Sequence, residues 1–249
     1  MADELLALDD VVKTLHGHRV LDGLTLSVKE GEHVALIGES TAGKTTIFKI
    51  IVGLFRPDSG RVSVFGRDMT GMHETERNAI LQDIEMQFQF GALFDSMTVG
   101  ENVRFMLDEK KKLSRKEKEA RVELLLRELN LWAAVNKYPY QLSGGMKKRA
   151  AVARALSTSP RLALFDEPAA GLDPVSSVRL VSAIKSMVPE NHTTVIIATT
   201  SALQAQRFAD RIVLLKKGRV HADGTCMDLF DHGDEYTRKY LSRELQAQA

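Results

Sequence analysis

The chain reads as an α/β protein built on a mostly parallel sheet with helices on both faces. Three patterns predict this. Short continuous apolar runs recur at residues 34–37, 162–165, 194–198 and 212–215, as strands buried on both faces require. Helix-compatible stretches alternate with them, at residues 47–52, 175–187 and 201–208. From Gln89 to about Ser157 the pattern becomes helical, including Val122, Leu125, Leu126 and Leu129 at three- and four-residue spacing.

The remaining elements follow from local chemistry. Residues 5–12 and 20–28 read as strands of an N-terminal β layer, and Lys29-Glu-Gly31 turns the chain into the strand at Val34. Pro57-Asp-Ser-Gly60 is a turn, because Pro presets φ and Gly accepts positive φ; a strand follows at residues 61–65. Residues 74–82 read as helix and 84–88 as a strand ending at Gln89. The charged run from Asp108 to Glu119 reads as a solvated loop and first helical turn, with Ser114 as N-cap and Glu117 completing a capping box. Lys216-Lys-Gly218 turns a hairpin into residues 219–222, and residues 235–248 form a charged helix with no assigned role.

Between the strand at Val34 and the helix at Ile47 lies Gly38-Glu39-Ser40-Thr41-Ala42-Gly43-Lys44-Thr45-Thr46. A glycine loop ending in Lys-Thr, with a strand before it and a helix after it, is a phosphate-binding P-loop. Gly38 and Gly43 permit turns that a side chain would block, so successive N–H groups converge on a phosphate at a helix N-terminus. Lys44 reaches the β and γ phosphates as a point charge, the Thr45 hydroxyl suits magnesium, and Thr46 helps hold the α phosphate. The strand at residues 162–165 ends in Asp166-Glu167, where open α/β sheets place their ligands. Asp166 is thereby the candidate magnesium ligand, acting through water, and Glu167 the candidate general base toward the attacking water. ATP and Mg2+ are the cofactors this pairing asks for.

Composition excludes several other classes. With 249 residues and 44% apolar content, the chain buries roughly three quarters of its unfolded surface without staples. A formal charge of +1 gives no global pull toward nucleic acid, and Lys147-Lys148-Arg149 reads as a solvated or phosphate-facing helix face. The single Cys226 excludes a disulfide scaffold, and the seven His are scattered, with His16 and His18 decorating a turn around Gly17. No apolar stretch approaches the about 18 residues that span a bilayer, so the chain is expected to be cytosolic.

Leu142-Ser143-Gly144-Gly145-Met146, some twenty residues before Asp166, resembles the signature motif of ATP-binding cassette (ABC) ATPases. Read physically, it is a second anion site, where Ser143 and the N–H groups of Gly144 and Gly145 open a helix at residues 146–156. The resemblance covers nearly the whole chain. It implies a P-loop NTPase fold of the ABC ATPase type, with an N-terminal antiparallel β layer and an inserted helical subdomain. Residues 1–249 are then one domain, with 1–88 and 159–249 as nucleotide-binding core and 89–158 as the helical signature part. It also implies a head-to-tail homodimer that sandwiches two ATP molecules between P-loop and signature. Gln89 becomes a magnesium and water sensor, and Asp173 of Gly171-Leu-Asp-Pro174 joins the nucleotide-contacting set.

The phrase from Phe88 to Val99, with Met146 closing the signature, resembles ATPases of the maintenance-of-lipid-asymmetry type, which serve Mce-domain phospholipid transporters. That likeness implies integral permease subunits, lipid-binding Mce-type and small regulatory partners, and a peripheral place on the cytoplasmic side of an inner membrane. The aromatic residues of this loop are either an apolar surface for a partner's helix or core packing under the loop.

Three departures from the family pattern stand out. Thr200 occupies the place of a His that contacts the γ phosphate, and Leu15, beside His16, stands where an aromatic stacks on adenine. The loop has Glu39, Thr41 and Ala42 where the family favours Pro, Gly and Ser or Cys. Two functions follow as expectations: a slow ATPase subunit of a membrane transporter, or a weakly or non-hydrolysing ATP-dependent dimerisation switch.

Overall fold

A computed structural model describes residues 4–89, 91–110, 113–188 and 193–242. The chain opens with the hairpin β1 (Glu4–Leu15) and β2 (His18–Lys29), then β3 (His33–Gly38), α1 (Lys44–Ile51), β4 (Ser59–Val64) and the short β5 (Arg67–Asp68). Next come α2 (Glu74–Leu81), β6 (Ile84–Gln87), α3 (Val99–Lys110), α4 (Arg115–Glu128) and α5 (Gly144–Ser157). The last third alternates β7 (Leu162–Asp166), α6 (Pro174–Met187), β8 (Thr194–Thr199), α7 (Ala202–Phe208), β9 (Arg211–Lys216) and β10 (Arg219–Gly224). It closes with α8 (Cys226–His232) and α9 (Glu235–Ser242).

The strands form two sheets, an antiparallel one in the order β2-β1-β4-β5 and a larger one in the order β10-β9-β3-β8-β7-β6. Every pair in the larger sheet is parallel except β10 with β9. The period of two along each parallel strand splits the core into two layers. Ala35, Ile37, Phe165, Val195, Ile197, Ile212 and Leu214 face a cluster shared with α3 to α7 and α9. Val34, Leu36, Leu164, Ile196, Val213 and Leu215 face a second cluster, filled by α1 and the antiparallel sheet. This two-sided burial is why those runs read as uninterrupted apolar segments.

Register fixes where the strands end. Ile37 pairs with Thr199, and Ala198 pairs with Asp166. The ends of β3, β8 and β7 therefore stand in one row, with Gly38, Thr200 and Glu167 at the lip.

Some expectations need correction. Helix begins at Val99 and not at Gln89: residues 88, 89 and 91–98 are a loop, as expected for the stretch around Phe88 to Phe94 but extending further. The fully buried Asn102 holds this loop by accepting from the Phe94 N–H at 2.8 Å and donating to the carbonyls of Phe94, Met97 and Thr98 at 3.0–3.1 Å. Arg154 on α5 adds a bond to the Ala92 carbonyl at 2.6 Å and lies over the Phe94 ring. Leu93 packs into the core while Phe88 and Phe94 stay 36% and 41% exposed; Phe90 lies outside the described residues.

Asp108 belongs to α3 rather than to a loop, paired with Lys118 at 2.6 Å, and Lys111 and Lys112 lie outside the described residues. The Ser114–Glu117 capping box forms as expected. The last helix is described over Glu235–Ser242, the rest of the stretch expected to 248 lying outside the described residues. It is not simply a charged helix, since Thr237, Tyr240 and Leu241 are buried. No helix among the described residues is long and apolar enough to cross a membrane.

Replacing Asn102 by Ala leaves several buried loop groups without partners, at about 1–3 kcal/mol each. Asn102→Ala is expected to lower stability by at least about 2 kcal/mol in urea unfolding.

Candidate active site

The loop after β3 has its shape because two of its residues lack a Cβ. Gly38 has φ 148°, and a Cβ there would lie 2.5 Å from the Leu215 carbonyl oxygen of β9. Gly43 has φ 102°, and its Cβ would meet Leu21 Cδ2 at 2.7 Å. The Ala42 N–H closes the turn on the Glu39 carbonyl at 2.9 Å, while the Ala42 methyl packs into the core. Glu39, Ser40 and Thr41 are exposed, so the side chains of Glu39 and Thr41 point away from the packed interior. Helix α1 starts with no capping side chain and no acid in its first turn, which leaves its N–H groups and dipole for an anion.

Lys44, the first residue of α1, is 4% exposed. Its Nζ donates to the Gly38 carbonyl at 2.7 Å and the Glu39 carbonyl at 3.1 Å, and lies 3.9 Å from Glu167 Oε1. Burial pulls its pKa down, and the Glu167 and Asp166 carboxylates oppose that.

Thr45 Oγ1 donates to Asp166 Oδ2 at 2.8 Å, joining the loop to the end of β7 across the intervening β8. Asp166 Oδ1 is buried and has no hydrogen-bond partner. Burial raises the Asp166 pKa against the Thr45 bond and the Lys44 charge. A hydroxyl and a carboxylate side by side, with one oxygen unspent, form a donor set that fits Mg2+, which takes one or two protein oxygens and completes its shell with water and phosphate. No cluster of three or more His, Cys, Asp or Glu exists among the described residues to hold a metal unaided.

Glu167 sits at φ 46°, a left-handed backbone, held there by its N–H donating to the Ala198 carbonyl at 2.8 Å. Burial raises its pKa; Lys44 lowers it, Asp166 raises it, and hydrogen bonds from the Thr199 hydroxyl and the Thr200 N–H lower it. A carboxylate desolvated this way is a stronger base than one in water.

Thr200 is exposed at the rim of a cleft of about 420 Å³ that Glu167, Gly171, Leu172 and Gln204 also line. The sequence points to Thr200 and misses Thr199, which is fully buried. Thr199 Oγ1 accepts from the Ser201 N–H at 3.1 Å, and its one hydrogen serves Gln204 Oε1 at 3.0 Å or the Glu167 carboxylate. Its only mark in the sequence is a hydroxyl directly after the apolar run at residues 195–198.

Other candidates are engaged locally. The Ser143 hydroxyl caps α5 by accepting from the Met146 N–H at 3.3 Å, and nothing lies within 4 Å of where a Gly144 Cβ would stand. A Cβ on Gly145 would meet Leu172 Cδ2 at 3.2 Å. Asp173 caps α6, and bonds from the Ser176 hydroxyl and N–H hold its carboxyl below the usual range. Among the described residues no hydrogen bond joins Ser143, Gly144 or Gly145 to the loop at 38–46. Gln89 is exposed and its carbonyl accepts from Lys148 Nζ at 3.4 Å; no hydrogen bond takes its side chain to Thr45 or Asp166. The basic cluster is thus not one solvated face: Lys147 is exposed, Lys148 serves Gln89, and Arg149 Nε is buried. Leu15 stands half-exposed at the end of β1, on the hairpin whose return strand presses Leu21 toward Gly43.

The sequence profile of the family described as ABC transporter matches residues 21–170. The chain belongs to the ABC transporter family. Among curated relatives of this ABC transporter chain is the sulfate/thiosulfate import ATP-binding protein CysA of Thermosynechococcus vestitus, 36% identical over 91% of this chain and 66% of its own length. The methionine import ATP-binding protein MetN of Bifidobacterium longum is 36% identical over 98% of this chain and 63% of its own length. The chain therefore spans about two thirds of the length of those relatives. Protein trigalactosyldiacylglycerol 3, chloroplastic, of Arabidopsis thaliana is 36% identical over 88% of this chain and 68% of its own length. Among solved structures, a dimeric post-hydrolysis state of the ATP-binding cassette MJ0796 bound to ADP and Pi superposes with TM-score 0.80 at 31% identity, covering 88% of this chain and 98% of that one. The ABC ATPase fold expected from the sequence is the fold observed.

The glycine geometry separates two substitutions. Gly43→Ala is expected to cost about 1–3 kcal/mol in chemical denaturation, from strained φ and contact with Leu21. Gly144→Ala, opening into free space at a helix start, is expected to leave stability unchanged within about 0.5 kcal/mol.

Proposed function

We propose that this chain is the ATP-binding and ATP-hydrolysing subunit of a membrane transporter, and that two copies close head to tail on two ATP molecules. The observation that carries the reading is the 2.8 Å bond from Thr45 to Asp166, which draws the loop, Lys44 and the acidic pair to one point. Residues 1–88 and 159–249 serve as nucleotide-binding core and 89–158 as the helical part that carries the signature. In the bound state Lys44 exchanges its loop carbonyls for the β and γ phosphate oxygens, and the N–H groups from Gly38 to Thr46 cradle the phosphates. Thr45 and Asp166, with Gln89 brought in, would hold Mg2+, which would supply positive charge against the phosphate oxygens. Glu167 takes a proton from a water whose oxygen attacks the γ phosphorus, and ADP leaves with the electrons of the broken P–O bond.

Ser143, Gly144, Gly145 and Asp173 contribute from the opposite copy, and Leu15 lies against the base. Permease subunits dock on the loop at 88–98, where Phe88 and Phe94 face outward. That placement makes the subunit peripheral, on the cytoplasmic side of an inner membrane. We further propose a phospholipid cargo with Mce-type and small regulatory partners. Its support is the sequence of the loop from Phe88 to Val99 and the lipid in the name of the Arabidopsis relative. The sulfate and methionine relatives make a small solute the competing cargo, and identifying what co-purifies with the membrane complex decides between them.

Thr200 supplies no charge to the γ phosphate, and one lost preorganised contact costs about 3 kcal/mol, or on the order of a hundredfold in rate. The same residue favours the rival reading of a weakly hydrolysing dimerisation switch. Glu167→Gln is expected to cut ATP turnover at least about a hundredfold and to leave an ATP-loaded dimer on size-exclusion chromatography. Thr200→His is expected to turn over faster than wild type in the same assay. A wild type faster than Thr200→His removes the slow-ATPase argument, and a wild type with no turnover that still dimerises on ATP leaves the switch.

A further inference from the structure

The C-terminal helix reaches the turn that carries Thr200. Tyr240 of α9 is 4% exposed, and its hydroxyl donates to the Thr200 carbonyl oxygen at 3.0 Å. The N–H of Ser201 belongs to the same peptide plane and donates to Thr199 Oγ1 at 3.1 Å. The 200–201 peptide is therefore gripped at both ends, by a phenol from α9 and a hydroxyl from β8. With that plane held, rotation about the Thr200 Cα–C bond is restricted, and with it the placement of its Cβ at the cleft that Glu167 also lines.

The helix that delivers the phenol is itself anchored. Asp234 Oδ1 accepts from the Thr237 N–H at 2.8 Å, and Oδ2 meets His221 Nε2 of β10 at 3.0 Å. Tyr236 lies edge-on to His221, with Lys216 Nζ 3.6 Å from its ring centroid. Leu241 is fully buried in the cluster that also holds Ala202, Ala205 and Phe208 of α7. A hydroxyl carried on so constrained a helix has little freedom to leave its acceptor.

We propose that Tyr240 is a positioning residue for hydrolysis: by clamping the 200–201 peptide from the C-terminal helix, it sets where Thr200 stands against Glu167. The proposal rests on the ATPase reading, and it gives the closing helix a catalytic connection that spacing alone does not reveal. Tyr240 is buried behind the turn and reaches the site only by way of the Thr200 carbonyl. Its effect runs through the turn.

Tyr240→Phe in the full chain removes the hydroxyl and keeps the ring. Turnover of MgATP is expected to fall about three- to tenfold with KM held within about twofold, the signature of a contact realised in the reacting state. Amide hydrogen exchange is expected to quicken in the segment 199–204 and to stay unchanged in 38–46. Asp234→Ala, which loosens α9 at its cap and leaves Tyr240 in place, is expected to reproduce both effects and serves where Tyr240→Phe folds poorly. Turnover equal to wild type in both variants overturns the proposal, as does a raised KM with unchanged kcat. If wild type itself shows no turnover, the ATPase reading fails, and exchange at 199–204 still reports whether the clamp exists.

Discussion

The constraint on which the site depends is the level register of three parallel strands. Ile37 beside Thr199 and Ala198 beside Asp166 bring the ends of β3, β8 and β7 to one line. A slip of one residue in either pair would turn every side chain to the other face, exchanging the two core layers and pointing Asp166 away from Thr45. Both faces of these strands are apolar and fully packed, so such a slip is expensive, and the row of polar ends inherits that rigidity. The Thr45–Asp166 bond is the visible result: it spans a strand that lies between its partners.

Electrostatics follow from that geometry. One ammonium and two carboxylates are confined where burial disfavours the charged form of each, which raises both acids and lowers Lys44. Each group restrains the shift of another, because Lys44 lies close to both acids. The set is short of positive charge, and a triphosphate would deepen the deficit. On the proposed reading the unspent Asp166 Oδ1 is where a divalent ion corrects it. Glu167 differs from Asp166 in having its backbone turned to φ 46°, which swings its carboxylate out of the strand and toward the cleft.

What could be read from residues alone was whatever depends on nearest neighbours in sequence. The parallel strands, the glycine loop, the Ser114 capping box and the hairpin at Gly218 are all local, and each appears where its residues place it. Phe88 to Phe94 reads as a loop from its residues, but where helix resumes does not, because Asn102 and Arg154, buried or distant in sequence, hold residues 91–98 in loop form. Thr199 escaped notice because a threonine ending a strand is unremarkable until Gln204 and Glu167 are seen around it. The role of α9 was invisible for the same reason, since Tyr240 and Thr200 are brought together only by the packing of α7 and the β9–β10 hairpin.

On the proposed reading, one copy holds a site that is complete on one side only. The loop, the acidic pair and the Thr199–Thr200 turn converge within the chain, whereas Ser143 and Asp173 are spent on capping their own helices. Capping fixes the direction of those helices and exposes Gly144 with nothing within 4 Å of its missing Cβ. A corner that is both rigid and uncovered is preorganised for a partner, because little ordering remains to be done on contact. This is the physical content of the proposed head-to-tail pairing: the first half of the phosphate site is assembled by folding, and the second is kept poised by local caps until another copy arrives. On that proposal the energy of ATP acts on an association between rigid surfaces and not on the fold of either chain.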